Sequence, residues 1–348
     1  MALISIVIPC YNEQEVLPAL ADRLREATRG WDDEWEAILV NDGSVDATMQ
    51  IATELCASDA RFGVVELSRN FGHQAAVTVG LLMASGDCVI VIDADLQDPP
   101  ELLSEFVAKW RQGYDVVYGV RTRRQGSLLM RAAYKIYYRI LAHLSSLAIP
   151  LDSGDFCLIS RRAVDAICAL PERNRFVRGL RTWVGFSQAA VGYDRKLRAA
   201  GRPKYSVSKL VRLGMSGVLG FSTAPLRWAT YAGLVSCLLS VGAGFAFLFN
   251  RVTGIGPFGY KISVTPGTAT LTVSMFFLSG VQMLLIGIVG EYVALLTEEA
   301  KRRPVAIVKH VMGLRERSGL HAAAHGLVYM SSGGAIHSAE SGSSFDTG

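Results

Sequence analysis

Short apolar runs that end in polar clusters recur along the first third of the chain. Residues 3–9 close on Pro9-Cys10-Tyr11-Asn12-Glu13, residues 35–40 on Asn41-Asp42-Gly43-Ser44, residues 62–67 on Ser68-Arg69-Asn70, and residues 88–92 on Asp93, Asp95 and Gln97. Runs of this length, rich in β-branched residues and bounded by turn formers, predict buried strands. Between them apolar positions return at helical spacing: Val16, Leu17, Leu20 and Leu24, then Ile51 and Leu55 behind a cap at Ser44 or Asp46, then a helix through Met83. A further strand is expected at 115–120, after a helix reaching Trp110. Strand and helix in alternation predict an α/β fold with a doubly wound, mostly parallel sheet whose strand ends line one crevice.

The fourth strand carries the densest chemistry. Alternate residues of an ending strand point the same way, so Asp93, Asp95 and Gln97 are expected to converge. Two carboxylates and an amide oxygen are hard ligands, suited to Mg²⁺ or Mn²⁺ carrying a diphosphate and unsuited to zinc. The plainer alternative is an acidic turn without metal. Asp98, Pro99 and Glu101 then read as cap, first helical residue and capping-box acid of the next helix.

Farther along, the pattern changes scale. Residues 127–147 are amphipathic, with Arg131, Lys135 and Arg139 at four-residue steps among tyrosines, and residues 175–186 are also basic. Such segments suit an anionic membrane face, or for the first an ordinary helix against the sheet. Residues 229–249 carry no charge and residues 271–296 only Glu291, and each run is long enough to cross a bilayer. The link between them carries only Arg251 and Lys261, whereas Lys204, Lys209, Arg212 and Arg227 precede the first run and Lys301, Arg302 and Arg303 follow the second. Both ends are therefore expected in the cytosol. Ser236, Ser240 and Gly244 form a small-residue stripe for close helix packing. Gly254, Gly256 and Gly259 match a dinucleotide fingerprint, but no strand precedes them. From residue 318 onward Ala, Gly, Ser and His dominate without periodicity, which predicts disorder.

Composition narrows the class without naming it. Over 348 residues, 35 Lys and Arg stand against 31 Asp and Glu, too even a balance for a dedicated nucleic-acid binder. Six cysteines without paired metal spacing read as reduced thiols. No leader pattern precedes the first strand, so the N-terminal domain is expected in the cytosol.

Seven ordered motifs, IVIPCYNE, ILVNDGSVD, SRNFGHQAA, DADLQDPPE, SGDFCLISRRAV, GRPKYSVSKL and EEAKRRPVAIV, together resemble the inverting glycosyltransferases of family 2 with the GT-A fold. Within that family the chain is most similar to the polyprenyl-phosphate glycosyltransferases, the group of dolichol-phosphate mannose synthase and the bactoprenol glucosyltransferases. The resemblance implies a GT-A catalytic domain over residues 1–208 and an interfacial helix over 209–226. Two transmembrane helices over 227–298, a cytosolic arm over 299–317 and a disordered tail over 318–348 follow. It implies that Pro9, Tyr11, Glu13, Asp42 and Asp93 hold the nucleotide, Asp42 accepting from the base and Tyr11 stacking on it. Asp95 and Gln97 would ligate Mg²⁺ or Mn²⁺, and Arg69, Arg121 and Arg124 would neutralise phosphates. Arg202, Lys204 and Tyr205 would close over donor and acceptor phosphates, so that Asp95, Asp155, Arg202 and Lys204 form the catalytic set. Asp155 would act as base or, preferably, as orienting carboxylate, with Asp152 as the neighbouring alternative. Cys157 stands where the family usually has Arg, so one phosphate or sugar contact must be missing or come from elsewhere.

The implied reaction moves a hexose, with glucose from UDP-glucose preferred, from a nucleotide sugar to polyprenyl (undecaprenyl) phosphate. The implied place is the cytosolic face of the inner (plasma) membrane, in a multi-pass homo-oligomer. N-acetylhexosamine, galactose, mannose or aminoarabinose on the same lipid, and a catalytically silent membrane scaffold, are the alternatives. A processive polysaccharide synthase fits less well, because Ala224 stands where the Gln of its acceptor motif is required before Arg227-Trp228.

Overall fold

The computed structural model describes residues 1–121, 153–173, 175–194, 267–314 and 327–330, with isolated helical positions between 226 and 253. Strands β1 (Leu3–Cys10), β2 (Glu34–Asn41), β3 (Phe62–Leu67) and β4 (Cys88–Val91) alternate with helices α1 (Leu17–Ala27), α2 (Thr48–Ser58) and α3 (His73–Met83). A 3-10 turn at Pro100–Leu102 leads into α4 (Leu103–Arg111) and β5 (Val116–Arg121), followed by β6 (Ser153–Ser160), α5 (Arg161–Ala169), α6 (Val177–Trp183) and β7 (Gln188–Tyr193). The long α7 (Gly267–Ala300), β8 (Ala306–Met312) and β9 (Val328–Met330) complete the described chain.

All nine strands form one sheet in the order β7-β5-β6-β4-β1-β2-β3-β8-β9. The central β4-β1-β2-β3 block is parallel, as strand-helix alternation requires. β6 enters antiparallel between β4 and β5, and β8 runs antiparallel to β3. The mostly parallel α/β expectation therefore holds, with antiparallel strands on both sides of the block. Apolar side chains fill both faces. Helix α3 is buried along its length from Ala75 to Met83, and a Cβ at Gly80 would fall 2.1 Å from Val7 Cγ1, so only glycine lets this helix sit so close to β1.

Three expectations need correction, and a fourth gains detail. Asp98 does not cap a helix: it is buried and accepts from the Tyr193 hydroxyl of β7, while Glu101 pairs with Arg23 at 2.6 Å. Within the expected arm at 299–317, residues 306–312 form β8, which covers the edge of β3 that would otherwise present unpaired backbone groups. The tail from 318 is not wholly irregular, since β9 pairs in parallel with β8 and buries Leu327 and Val328. A four-residue apolar run is too short to register against the Gly- and Ser-rich residues around it. Finally, the basic segment at 175–186 turns its charge inward: Arg175 and Arg181 are buried, and Arg175 donates to the carbonyls of Ile167 and Leu170 at the end of α5. The last carbonyls of a helix are acceptors without intrahelical partners, and a guanidinium can satisfy two of them.

The apolar run at 271–296 is the helix α7, whose part Phe277–Ala300 is long and apolar enough to cross a membrane and is not buried inside the fold. Among the described residues it is the only helix of that kind. The run at 229–249 lies mostly outside the described residues; Tyr231, Leu234, Leu238, Phe245 and Phe249 within it are helical and exposed. The two-helix hairpin is thus represented by one described helix. The amphipathic segment at 127–147 and the interfacial helix at 209–226 also fall outside the described residues, Leu226 excepted.

One buried carboxylate ties three strand ends together. Asp115, immediately before β5, accepts from Ser160 Oγ at 2.9 Å, from Ser187 Oγ at 2.8 Å and from Arg162. The Arg162 contact, ahead of the two hydroxyls and against burial, holds its carboxyl at about 2. Because the folded value lies below the ordinary 3.8, this stabilisation is complete above that pH and is lost as pH falls through about 2. Asp115→Ala is expected to cost about 2 kcal/mol at neutral pH by chemical denaturation in detergent. The gap to the parent protein should narrow as the pH is lowered from about 4 toward 2.

Candidate active site

The C-terminal ends of β1, β2 and β3 are fastened to one another before any ligand is considered. Pro9 is buried at the end of β1 and Tyr11 is exposed beyond it. Asn12, at φ 53, donates its N–H to Ser44 Oγ at 3.0 Å and accepts from the Val45 N–H at 3.0 Å, while the Glu13 N–H donates to Thr48 Oγ1 at 2.8 Å. Gly43 adopts φ 65, and a Cβ there would lie 2.5 Å from the Arg69 carbonyl carbon, so the β2 and β3 loops touch backbone to backbone. Asp42 is buried and accepts from the Phe71 N–H at 2.7 Å and the Gly72 N–H at 3.0 Å. Burial pushes its carboxyl up, and these two donors oppose the shift. In this way Asp42 also holds the loop that enters α3.

Beyond the end of β4, Asp93, Asp95 and Gln97 are half-buried and alternate with buried Ala94 and Leu96. The strand has already ended. A turn with Leu96 at φ 57 keeps the alternation, and the Gln97 N–H closes it onto Asp95 Oδ1 at 3.1 Å. Burial raises the Asp93 carboxyl to about 6, His73 opposing and Asp98, Asp155 and Asp95 adding to the rise.

Asp155 arrives from β6. The antiparallel register pairs Val91 with Cys157, and just beyond it Asp93 and Asp155 both come within reach of His73. Two carboxylates in that position need a cation, and α3 and α6 supply it. His73 Nε2 lies 3.3 Å from Asp155 Oδ2 and 3.7 Å from Asp93 Oδ1, and Arg178 Nη2 donates to Asp155 Oδ1 at 3.3 Å. Gln74 Nε2 donates to Asp155 Oδ2 at 3.2 Å, while its Oε1 accepts from the Val177 N–H at 2.8 Å. Burial alone would raise Asp155, but Arg178, the His73 hydrogen bond and charge, and Arg181 hold it well below the usual carboxylate range. Burial would likewise lower His73, but the hydrogen bond to Asp155 and the charges of Asp93 and Asp155 raise it to about 9. The outcome is a carboxylate and an imidazolium locked together at neutral pH.

Cys157, where an arginine was expected by resemblance, is buried two residues after Asp155, and the Arg181 guanidinium from α6 bonds to it and stacks over Tyr118 at 5.2 Å. Positive charge reaches this place from α6 instead of β6. Arg69 is exposed on the β3 loop, its guanidinium over the Phe71 ring at 4.3 Å. Arg121 ends β5, and Arg124, Asp152, Arg202, Lys204 and Tyr205 lie outside the described residues. The structure thus brings Asp93, Asp95, Gln97 and Asp155 to one edge and adds His73, Gln74 and Arg178, which sequence reasoning did not single out. The signal for His73 and Gln74 was their place in SRNFGHQAA, just after a strand end; Arg178 lay inside the basic segment read as membrane-facing.

The donor set at the β4 end is all oxygen, accessible and crowded with carboxylates, which fits a hard divalent cation. Among the described residues no group of three or more His, Cys, Asp or Glu forms a cage. An ion held by few side chains, and completed by waters and phosphate oxygens, is the arrangement this permits.

Comparison with known proteins gives the geometry its context. Residues 5–168 match the model of glycosyl transferase family 2. The uncharacterized glycosyltransferase YkcC of Bacillus subtilis (strain 168) is 42% identical over 314 residues, covering 90% of this chain and 95% of that protein. The chain belongs to glycosyl transferase family 2. Another member, the bactoprenol glucosyl transferase of Shigella phage SfV, is 39% identical over 308 residues, 88% of this chain and 98% of its own. Among solved structures, glucosyl-3-phosphoglycerate synthase from Mycobacterium tuberculosis, in complex with Mn²⁺, uridine diphosphate and phosphoglyceric acid, aligns with a TM-score of 0.45. Its identity is 20%, over 63% of this chain and 76% of that one. This family 2 protein is a glycosyltransferase with a GT-A-like α/β fold.

The His73 charge is directly testable. Its folded value lies above the ordinary 6.5, so the stability it contributes is complete below that pH and is lost as pH rises through about 9. Wild-type melting temperature in detergent is expected to fall across that window, and His73→Gln should start lower and vary less. A wild-type curve parallel to that of the variant would show that His73 is not charged.

Proposed function

We propose that this glycosyltransferase moves a hexose from a nucleotide sugar to the phosphate of a polyprenyl lipid at a membrane face, inverting the anomeric centre. UDP-glucose is the preferred donor. The observation that carries the reading is the accessible oxygen-bearing stretch of Asp93, Asp95 and Gln97 beside an Asp155 whose charge His73 and Arg178 already balance. The names of the bactoprenol glucosyl transferases, related along most of this chain, and the exposed apolar α7 support the lipid acceptor.

In this reading Pro9, Tyr11, Glu13, Asp42 and Asp93 line the nucleoside, and Asp95 and Gln97 hold Mg²⁺ or Mn²⁺, which when bound supplies positive charge against the departing diphosphate. Arg69, Arg121, Arg124, Arg202, Lys204 and Tyr205 are assigned to the phosphates. An oxygen of the acceptor phosphate attacks the anomeric carbon, the bond to the donor diphosphate breaks, and its electron pair leaves with the nucleoside diphosphate. A phosphate monoester with a second pKa near 6 is largely ionised at neutral pH, so no strong base is needed. Asp155 suits that chemistry: Arg178 and His73 make it a poor proton acceptor, and Gln74 holds it in place. We assign it the orienting role, with Arg178 and His73 offering charge where the acceptor's phosphate must approach.

Transfer from a panel of radiolabelled nucleotide sugars to undecaprenyl phosphate, with and without Mg²⁺ or Mn²⁺, tests the reading. Metal-dependent label in the lipid phase from one donor is expected, falling at least about a hundredfold in Asp95→Ala. Label from no donor, in protein that still binds nucleotide, would overturn it. For Asp155→Asn the rate should drop while the pH dependence keeps its shape. A profile that loses a limb in the variant would mark Asp155 as a base instead.

A further inference from the structure

Where α7 ends, the chain builds a second charged site that the reaction above does not use. After Ala300 the backbone reverses through Arg302 at φ 49 and runs into β8. The reversal leaves a cavity of about 270 Å³ lined by Arg173, Glu298, Lys301, Arg303, Pro304 and Val305. Three cations and one carboxylate face it. Among the described residues none of the three cations has an ion-pair partner, and Arg173 Nη1 is shut away from solvent without a hydrogen bond. The backbone beside it is firmly placed, because the Arg173 N–H donates to both Glu299 oxygens at 2.8 and 3.1 Å. A buried guanidinium nitrogen without an acceptor costs free energy unless a ligand supplies one.

The place on the molecule says what that ligand is. Phe277–Ala300, 24 residues, extends about 36 Å as a helix, slightly more than the hydrocarbon thickness of a bilayer. Met283, Leu284, Ile286, Val289, Val293 and Leu296 stand exposed along it. With α7 across a bilayer, its end and the cavity there would fall at the depth of the lipid phosphates. The volume is about nine times the ~30 Å³ of one water in the liquid, enough for a phosphodiester with its substituent. We propose that the cavity is a headgroup site for a membrane phospholipid, with Arg173, Lys301 and Arg303 on the phosphodiester oxygens and Glu298 accepting from the hydroxyl or ammonium of the substituent. Glu298 selects against a dianionic phosphate monoester, which would bring more negative charge and no donor. None of Asp93, Asp95, Asp155 or His73 lines this cavity. The proposal rests on α7 crossing a membrane.

Native mass spectrometry of the full chain in detergent, titrated with phosphatidylglycerol, phosphatidylethanolamine or phosphatidylcholine and separately with inorganic phosphate, tests it. One saturable adduct with phosphatidylglycerol or phosphatidylethanolamine is expected, with phosphatidylcholine weaker for want of a donor. Binding should weaken at least about tenfold in Arg173→Ala/Arg303→Ala. Lys301→Glu, a change at an exposed position, should have a similar effect with melting temperature and nucleotide binding retained. Adducts equal in parent and variants, equal binding of phosphatidylcholine, or equal occupation by inorganic phosphate would each overturn the site. Protein that stays monodisperse after detergent removal would instead refute the membrane reading of α7, whereas protein that needs detergent yet binds no headgroup refutes only this site.

Discussion

A carboxylate closed into a sheet edge must be matched by positive charge, and the arrangement around Asp155 follows from that requirement. The β4 to β6 register brings it near Asp93, so the two acids repel in a place with little water to screen them. The N-terminal residue of α3, His73, and the side chain of Arg178 on α6 resolve the conflict, and Gln74 joins the same carboxylate to the start of α6. Two helices and two strands are thus positioned by one acid. Removing that acid would leave an arginine and an imidazolium facing each other in a half-buried place, which is why the pairs must be regarded as one unit.

The same constraint separates the two halves of the proposed chemistry. The donor side, at Asp95 and Gln97, is left negative and able to attract a cation. The acceptor side is made close to neutral by built-in charges. An enzyme that joins two phosphorylated substrates needs this asymmetry, because a uniformly acidic edge would repel the nucleophile and a uniformly basic one would not hold a metal. Fixed side chains supply it without rearrangement at the moment of reaction.

The parallel half of the fold was legible because it is local. Each strand from β1 to β4 is one apolar run with its polar residues next to it in sequence, so the strand ends could be read directly, down to the half-buried Asp93, Asp95 and Gln97. What could not be read depends on distant partners. β6 sits between β4 and β5 although about sixty residues separate it from β4, and no local pattern announces a strand that must pair on both edges. The arginines at 175, 178 and 181 have the spacing of a surface stripe, yet the acceptors that draw Arg175 and Arg178 inward, the carbonyls of α5 and the carboxylate of β6, lie in other elements. Motif resemblance reached Asp155 where periodicity did not, but it offered no hint that His73 and Arg178 neutralise it.

The return of the chain to the sheet after α7 also sets a schedule for making the protein. Roughly 240 residues separate the end of β3 from the start of β8. A ribosome adding about 5–20 residues each second needs some tens of seconds to bridge them. Throughout that interval β3 shows a bare hydrogen-bonding edge, the kind of surface that pairs with whatever strand is near. The apolar helix must be synthesised before the edge can be closed, so the globular domain cannot mature ahead of the segment that would anchor it. A nascent chain halted before α7 would therefore be a sticky fragment and not a free-standing soluble transferase, and delivery and completion of the fold become one event.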